Sequence, residues 1–88
     1  MIHKRLSISG EEGLQSRAAA LLVQVAGKYT SSVLLEQGNK RVNAKSIMGV
    51  LSLRLRKGDS FLLVVSGEDE EAAASAISQL VEKGEVRD

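Results

Sequence analysis

The stretch Lys40-Arg41-Val42-Asn43-Ala44-Lys45-Ser46-Ile47-Met48-Gly49-Val50-Leu51-Ser52-Leu53 decides how this chain folds. Its front end, Lys40 to Val42, reads as a strand paired with Ser32 to Glu36 across Gln37-Gly38-Asn39, a glycine-containing hairpin turn. Its back end sets Ile47, Met48, Val50, Leu51 and Leu53 behind a serine. Serine is a favoured N-cap because its hydroxyl accepts a bond from a backbone N–H that the first helical turn leaves unpaired. The expectation is a strand handing over at Ser46 to a short helix, broken or bent at Gly49.

On the C-terminal side, Ser60 to Ser66 (Ser-Phe-Leu-Leu-Val-Val-Ser) is the clearest strand. Apolar residues on both its faces imply a central strand or one exposed apolar patch. A helix follows, with the acidic residues of Glu68-Asp69-Glu70-Glu71 at its positive end and one apolar stripe of Ala73, Ala76, Ile77, Leu80 and Val81. On the N-terminal side, Ile2, Leu6 and Ile8 alternate as in a strand, interrupted by Lys4, and Gly10 to Gly13 form a loop. Leu14, Ala18, Leu21, Leu22, Val25 and Ala26 then fall at helical spacing from a start near Ser16 to a stop at Gly27. The order is strand, helix, strand, strand, helix, strand, helix. Helices covering one face of a mostly antiparallel sheet would bury these stripes, giving an α+β two-layer fold.

A length of 88 residues, with no repeat or linker, predicts one domain over 1–88. The 43% hydrophobic and 26% charged composition is that of a globular chain, and the longest apolar run, Ala18 to Val23, is far short of a bilayer span. With no signal-peptide pattern and no cysteine, the expectation is a cytoplasmic protein without disulfides or thiolate chemistry. The net charge of +1 gives no pull toward nucleic acid. Its distribution is uneven: Lys40, Arg41, Lys45, Arg54, Arg56 and Lys57 make the middle basic. That middle either meets an acidic protein partner or is a solvated surface.

Most chemistries fail on residue type. The single histidine, His3, has no cysteine or second histidine with which to hold a metal, and no other imidazole is present to activate a serine. Gly10-Glu11-Glu12-Gly13 has the spacing of a GxxG nucleic-acid clamp but follows a strand and carries two glutamates. One Phe and one Tyr make no stacking platform, and no nucleotide fingerprint occurs. The expectation is therefore no enzyme, no cofactor, no metal and no direct nucleic-acid or membrane contact.

Two places remain. Leu14-Gln15-Ser16-Arg17 opens a helix, where unpaired N–H groups and an arginine favour an anion; an ordinary capped helix with a solvated arginine is the other reading. Ser46 would carry a phosphate at a helix start, with Lys45 and Arg41 nearby to pair with it, or is simply an unmodified N-cap.

Both places coincide with the signature segments of the HPr phosphocarrier family. Lys40 to Leu53 closely resembles its regulatory-serine segment, and Gly13-Leu14-Gln15-Ser16-Arg17-Ala18-Ala19 resembles its active-site segment, Gly-Ile/Leu-His-Ala-Arg-Pro-Ala. The resemblance covers essentially the whole chain. It implies an open-faced β-sandwich, a four-stranded antiparallel sheet covered on one face by three helices. In that family the histidine at the position of Gln15 accepts a phosphoryl group from enzyme I and passes it to sugar permeases. Glutamine cannot, because its amide nitrogen is delocalised into the carbonyl.

A family branch that has lost the histidine and kept the serine implies phosphorylation of Ser46 by HPr kinase/phosphorylase. The phosphoprotein then acts as corepressor of a LacI-type catabolite control transcription factor. On the same resemblance Arg17, Ile47 and Met48 are partner-binding residues, the last two an apolar anchor beside the phosphate. Ala18 in place of the family's proline, Ala20 in place of a frequent threonine, and Arg54 and Arg56 in place of small or apolar residues are departures. Three alternatives stay open: a phosphocarrier using another group such as His3, a degenerate HPr-like binding module, and a homodimer formed through Leu62 and Val64.

Overall fold

The computed structural model describes residues 1–83; the remainder of the predicted domain, 84–88, lies outside the described residues. The elements are β1 (Ile2–Ser7), α1 (Ser16–Gly27), β2 (Ser32–Gln37), β3 (Lys40–Asn43), α2 (Ile47–Ser52), β4 (Ser60–Ser66) and α3 (Glu70–Lys83). The four strands form one sheet in the order β1-β4-β2-β3, antiparallel throughout. This is the expected α+β open-faced architecture.

The register explains why β4 is apolar on both faces. Phe61, Leu63 and Val65 lie opposite Leu6, Lys4 and Ile2 of β1, while Leu63 and Val65 also lie opposite Leu35 and Val33 of β2. Phe61, Leu63, Val65, Leu6, Leu35 and Val33 are buried in one core with Leu22 of α1, Val50 of α2 and Ile77 of α3. Fully burying a side chain such as Phe61 contributes about 1.5–3 kcal/mol. The alternate residues, Leu62 and Val64, turn to the open face beside Leu34, and Val64 is still only 7% exposed. Lys4 shares the helix-facing side of β1 but is exposed, as an edge strand allows. A charge there also discourages pairing with another sheet.

One expectation is corrected. Helix α2 runs unbroken through Gly49. What the missing side chain permits is close packing, since a Cβ on Gly49 would lie 3.3 Å from Val42 Cβ and 3.4 Å from the Asn43 carbonyl oxygen. Helix α1 stops at Gly27, as expected, and its C-cap is Lys28, in right-handed conformation. Among the described residues, no helix is long and apolar enough to cross a membrane.

Candidate functional site

Ser46 is held by a short chain of local bonds. The Ala44 N–H reaches back to the Val33 carbonyl at 2.9 Å, and the buried Ala44 fixes the chain as it leaves β3. Asn43 then builds the turn: its Oδ1 accepts the Lys45 N–H at 2.8 Å and its carbonyl accepts the Ser46 N–H at 3.0 Å. Ser46 has extended backbone (φ −112, ψ 117) and its Oγ accepts the Gly49 N–H at 3.2 Å, the expected N-cap. The side chain is otherwise exposed.

Helix α2 is pinned by Val50, fully buried, and by Leu53 just after it. This orientation turns Ile47 (38% exposed), Met48 (77%) and Leu51 (37%) to solvent. Leu51 belongs with the two residues singled out from sequence, and its spacing of three and four residues from Met48 and Ile47 was the available signal.

The cations expected to pair with a Ser46 phosphate are engaged elsewhere. Lys45 Nζ donates to the Tyr29 carbonyl at 2.8 Å, and Arg41 Nε pairs with Glu36 Oε2 at 3.0 Å. Proximity in sequence had suggested otherwise, but Arg41 lies opposite Glu36 in the β2–β3 register and therefore on the open face of the sheet.

Gln15 is the N-cap of α1, with extended backbone and no side-chain capping bond. The first turn of α1 holds no acidic residue, and Arg17 is exposed within it. The loop before it is docked on the segment that follows α2. The Leu14 N–H bonds to the Leu55 carbonyl at 2.9 Å, and Gly13 (φ 68) passes so close that a Cβ would lie 2.7 Å from Arg56 Cα. The two signature segments are therefore joined through Gly13–Leu14 and Leu55–Arg56. His3 is in none of this: it is exposed on the edge strand β1, opposite Val64.

The acidic run serves the fold. The Asp69 carboxylate accepts the Thr30 N–H at 2.9 Å, the Ser31 N–H at 3.0 Å and the Ser31 hydroxyl. The Ser31 hydroxyl first, then the Thr30 N–H, hold its pKa down to about 2. Glu70 is also lowered, by the Gly67 N–H and the N-terminal ammonium. Among the described residues, His, Asp and Glu side chains do not gather into a group able to hold a metal ion.

Four similarities bear on this arrangement. The family described as "PTS HPr component phosphorylation site" matches residues 2–83. The HPr-like protein Crh of Halalkalibacterium halodurans is 42% identical over 83 residues, 94% of this chain and 99% of that protein. Among solved structures, the phosphocarrier protein HPr of Bacillus anthracis superposes with a TM-score of 0.90 at 40% identity, covering 92% of this chain and 96% of that one. Bacillus subtilis Crh, described as a dimer with a swapped domain, superposes at 0.77 with 42% identity over the full length of both chains.

Proposed function

The chain belongs to the HPr family, and on that footing we propose that it is a regulatory, non-catalytic member switched by phosphorylation of Ser46. The observation that carries this reading is the exposed Ser46 hydroxyl beside an exposed apolar surface of Ile47, Met48 and Leu51. HPr kinase/phosphorylase would transfer the γ-phosphoryl of ATP to Ser46 Oγ. The Oγ–P bond forms as the bond to the departing ADP breaks, and the hydroxyl proton is released.

The added phosphate brings a charge of about −1.5 to −2. Lys45 and Arg41 are already engaged, so that charge is available to a partner rather than absorbed by neighbours. A LacI-type catabolite control transcription factor would read the phosphate with basic groups and the apolar residues with a hollow, and Arg17 would contribute from α1. Gln15 supports the non-carrier half of the proposal, because an amide nitrogen is not a nucleophile. The proposed setting is the cytoplasm, with no cofactor.

With kinase and ATP present, this protein should bind such a repressor, and Ser46→Ala should abolish the binding. Tight binding by the alanine variant would remove the switch. Homodimerisation is a second reading, favoured by the dimeric Bacillus subtilis Crh and by the open-face residues Leu34, Leu62 and Val64. Light scattering after size exclusion would return twice the 9.4 kDa chain mass if it holds, and the chain mass if it does not.

A further inference from the structure

A hollow opens between α1 and α3 and takes no lining residue from α2. Ile8, Leu14, Ala18 and Leu21 line it together with Leu80 and Val81 of α3, around about 330 Å³. That volume lies at the small end of the range for small-molecule sites, roughly 300–1,000 Å³. Local bonds hold its shape. The Ser9 N–H and hydroxyl both reach the Val81 carbonyl, at 3.3 and 3.2 Å, and tie the loop after β1 to α3. The Gly13 N–H closes a turn on the Gly10 carbonyl at 3.1 Å, with Glu11 and Glu12 at its centre, and both glutamates line the hollow.

Charges of both signs border this space. Glu11 is already bonded to Lys57 at 2.6 Å, which leaves Glu12 as the available carboxylate. Arg17 lines the same hollow. Both Glu12 and Arg17 are exposed, and among the described residues neither makes an ion pair. The other side chains lining the hollow are all hydrocarbon. A purely anionic ligand is repelled by Glu12 and a purely cationic one by Arg17, while a neutral apolar molecule leaves both charges without a partner. A small zwitterion with a hydrocarbon tail matches the two charges and the apolar lining together.

We propose that this hollow binds a free α-amino acid with an aliphatic side chain. Glu12 receives the ammonium group, Arg17 donates to the carboxylate, and the side chain lies against Leu14, Ala18, Leu21 and Leu80. Exposed charge pairs are weak, so burial of the tail supplies most of the affinity and the two charges supply selectivity. A hydroxyl or amide on the tail would lose its water without gaining a partner, which excludes threonine and asparagine. Ala18 sets the depth of the site, because its one methyl group is the smallest side chain in the lining. The site makes no use of Ser46 and stands whether or not that residue is phosphorylated.

The test is an amide and methyl NMR titration of the intact chain with leucine, beside threonine, leucinamide (ammonium only) and isocaproate (carboxylate only). Leucine should give saturable shifts at Glu12, Leu14, Ala18, Leu21, Leu80 and Val81, and threonine none. Each singly charged analogue should bind about threefold more weakly than leucine. Glu12→Gln should weaken leucine by the same factor and remove its advantage over isocaproate. Ala18→Leu should fill the hollow and abolish saturation, while the rest of the spectrum stays that of the folded chain. Absence of saturable shifts with leucine, an equal response to threonine, or binding untouched by Ala18→Leu would overturn the proposal. Contacts of Leu21 or Leu80 with residues 84–88 in the free protein would overturn it too, since the chain itself would then fill the hollow.

Discussion

Ser31 and Ser46 are the same residue type put to opposite uses. Ser31 is 1% exposed and gives both its N–H and its hydroxyl to Asp69, joining the start of β2 to the entry of α3. Gly67 seals the clamp from the other side, so close that a Cβ there would lie 2.7 Å from Ser31 Cα. Ser46 is exposed and held by one 3.2 Å capping bond, at the N-cap of a six-residue helix whose outer face is apolar. A buried hydroxyl with satisfied bonds belongs to the fold, because leaving it unpaired would cost about 1–3 kcal/mol. An exposed one with a single weak bond is free to be modified. The clamp and the cap therefore separate a structural half of the molecule from the half proposed for recognition.

That separation can be broken in order of size. Gly67→Ala should cost the most, about 3 kcal/mol, because the new methyl meets the Ser31 backbone and strained φ adds to the clash. Thermal unfolding should show a midpoint more than about 10 °C lower.

Asp69 comes next. Its folded pKa is depressed to about 2 from 3.8, so its contribution is complete above the unfolded value and fades as the pH falls toward 2. Asp69→Asn should lower stability at neutral pH and flatten the acid dependence between those values, read by denaturant melts at several pH values. An unchanged slope would mean that the clamp carries no linked proton.

Ser46→Ala should do least to the fold, about 1 kcal/mol of lost capping, and Ser46→Asp should recover most of it because aspartate also caps. Chemical denaturation distinguishes the three proteins. A loss for Ser46→Ala as large as that for Gly67→Ala would erase the contrast between the two serines.

Much of this was legible in the chain because local chemistry carries it. Turn residues around Gly38, the serine before Ile47 and the two-sided apolar strand at Ser60–Ser66 each act over a few positions, and each stands where its pattern implies. What was not legible depends on contacts distant in sequence. Asp69 and Ser31 are 38 residues apart, and nothing in an acidic run tells a helix-dipole residue from a clamp. Gly13 against Arg56 and Lys45 on the Tyr29 carbonyl are of the same kind. Gly49 misled for a different reason: its low helix propensity suggested a break, but tertiary packing against Val42 retains it within α2.

The central claim is that this chain is phosphorylated as a regulator and not as a carrier. The most direct measurement incubates the purified protein with ATP and HPr kinase/phosphorylase, and separately with phosphoenolpyruvate and enzyme I, then maps phosphate by mass spectrometry. Phosphate on Ser46 in the first reaction and none in the second is the expected result. Phosphate acquired in the second reaction, on His3 or any other residue, or an unmodified Ser46 in the first, would contradict it.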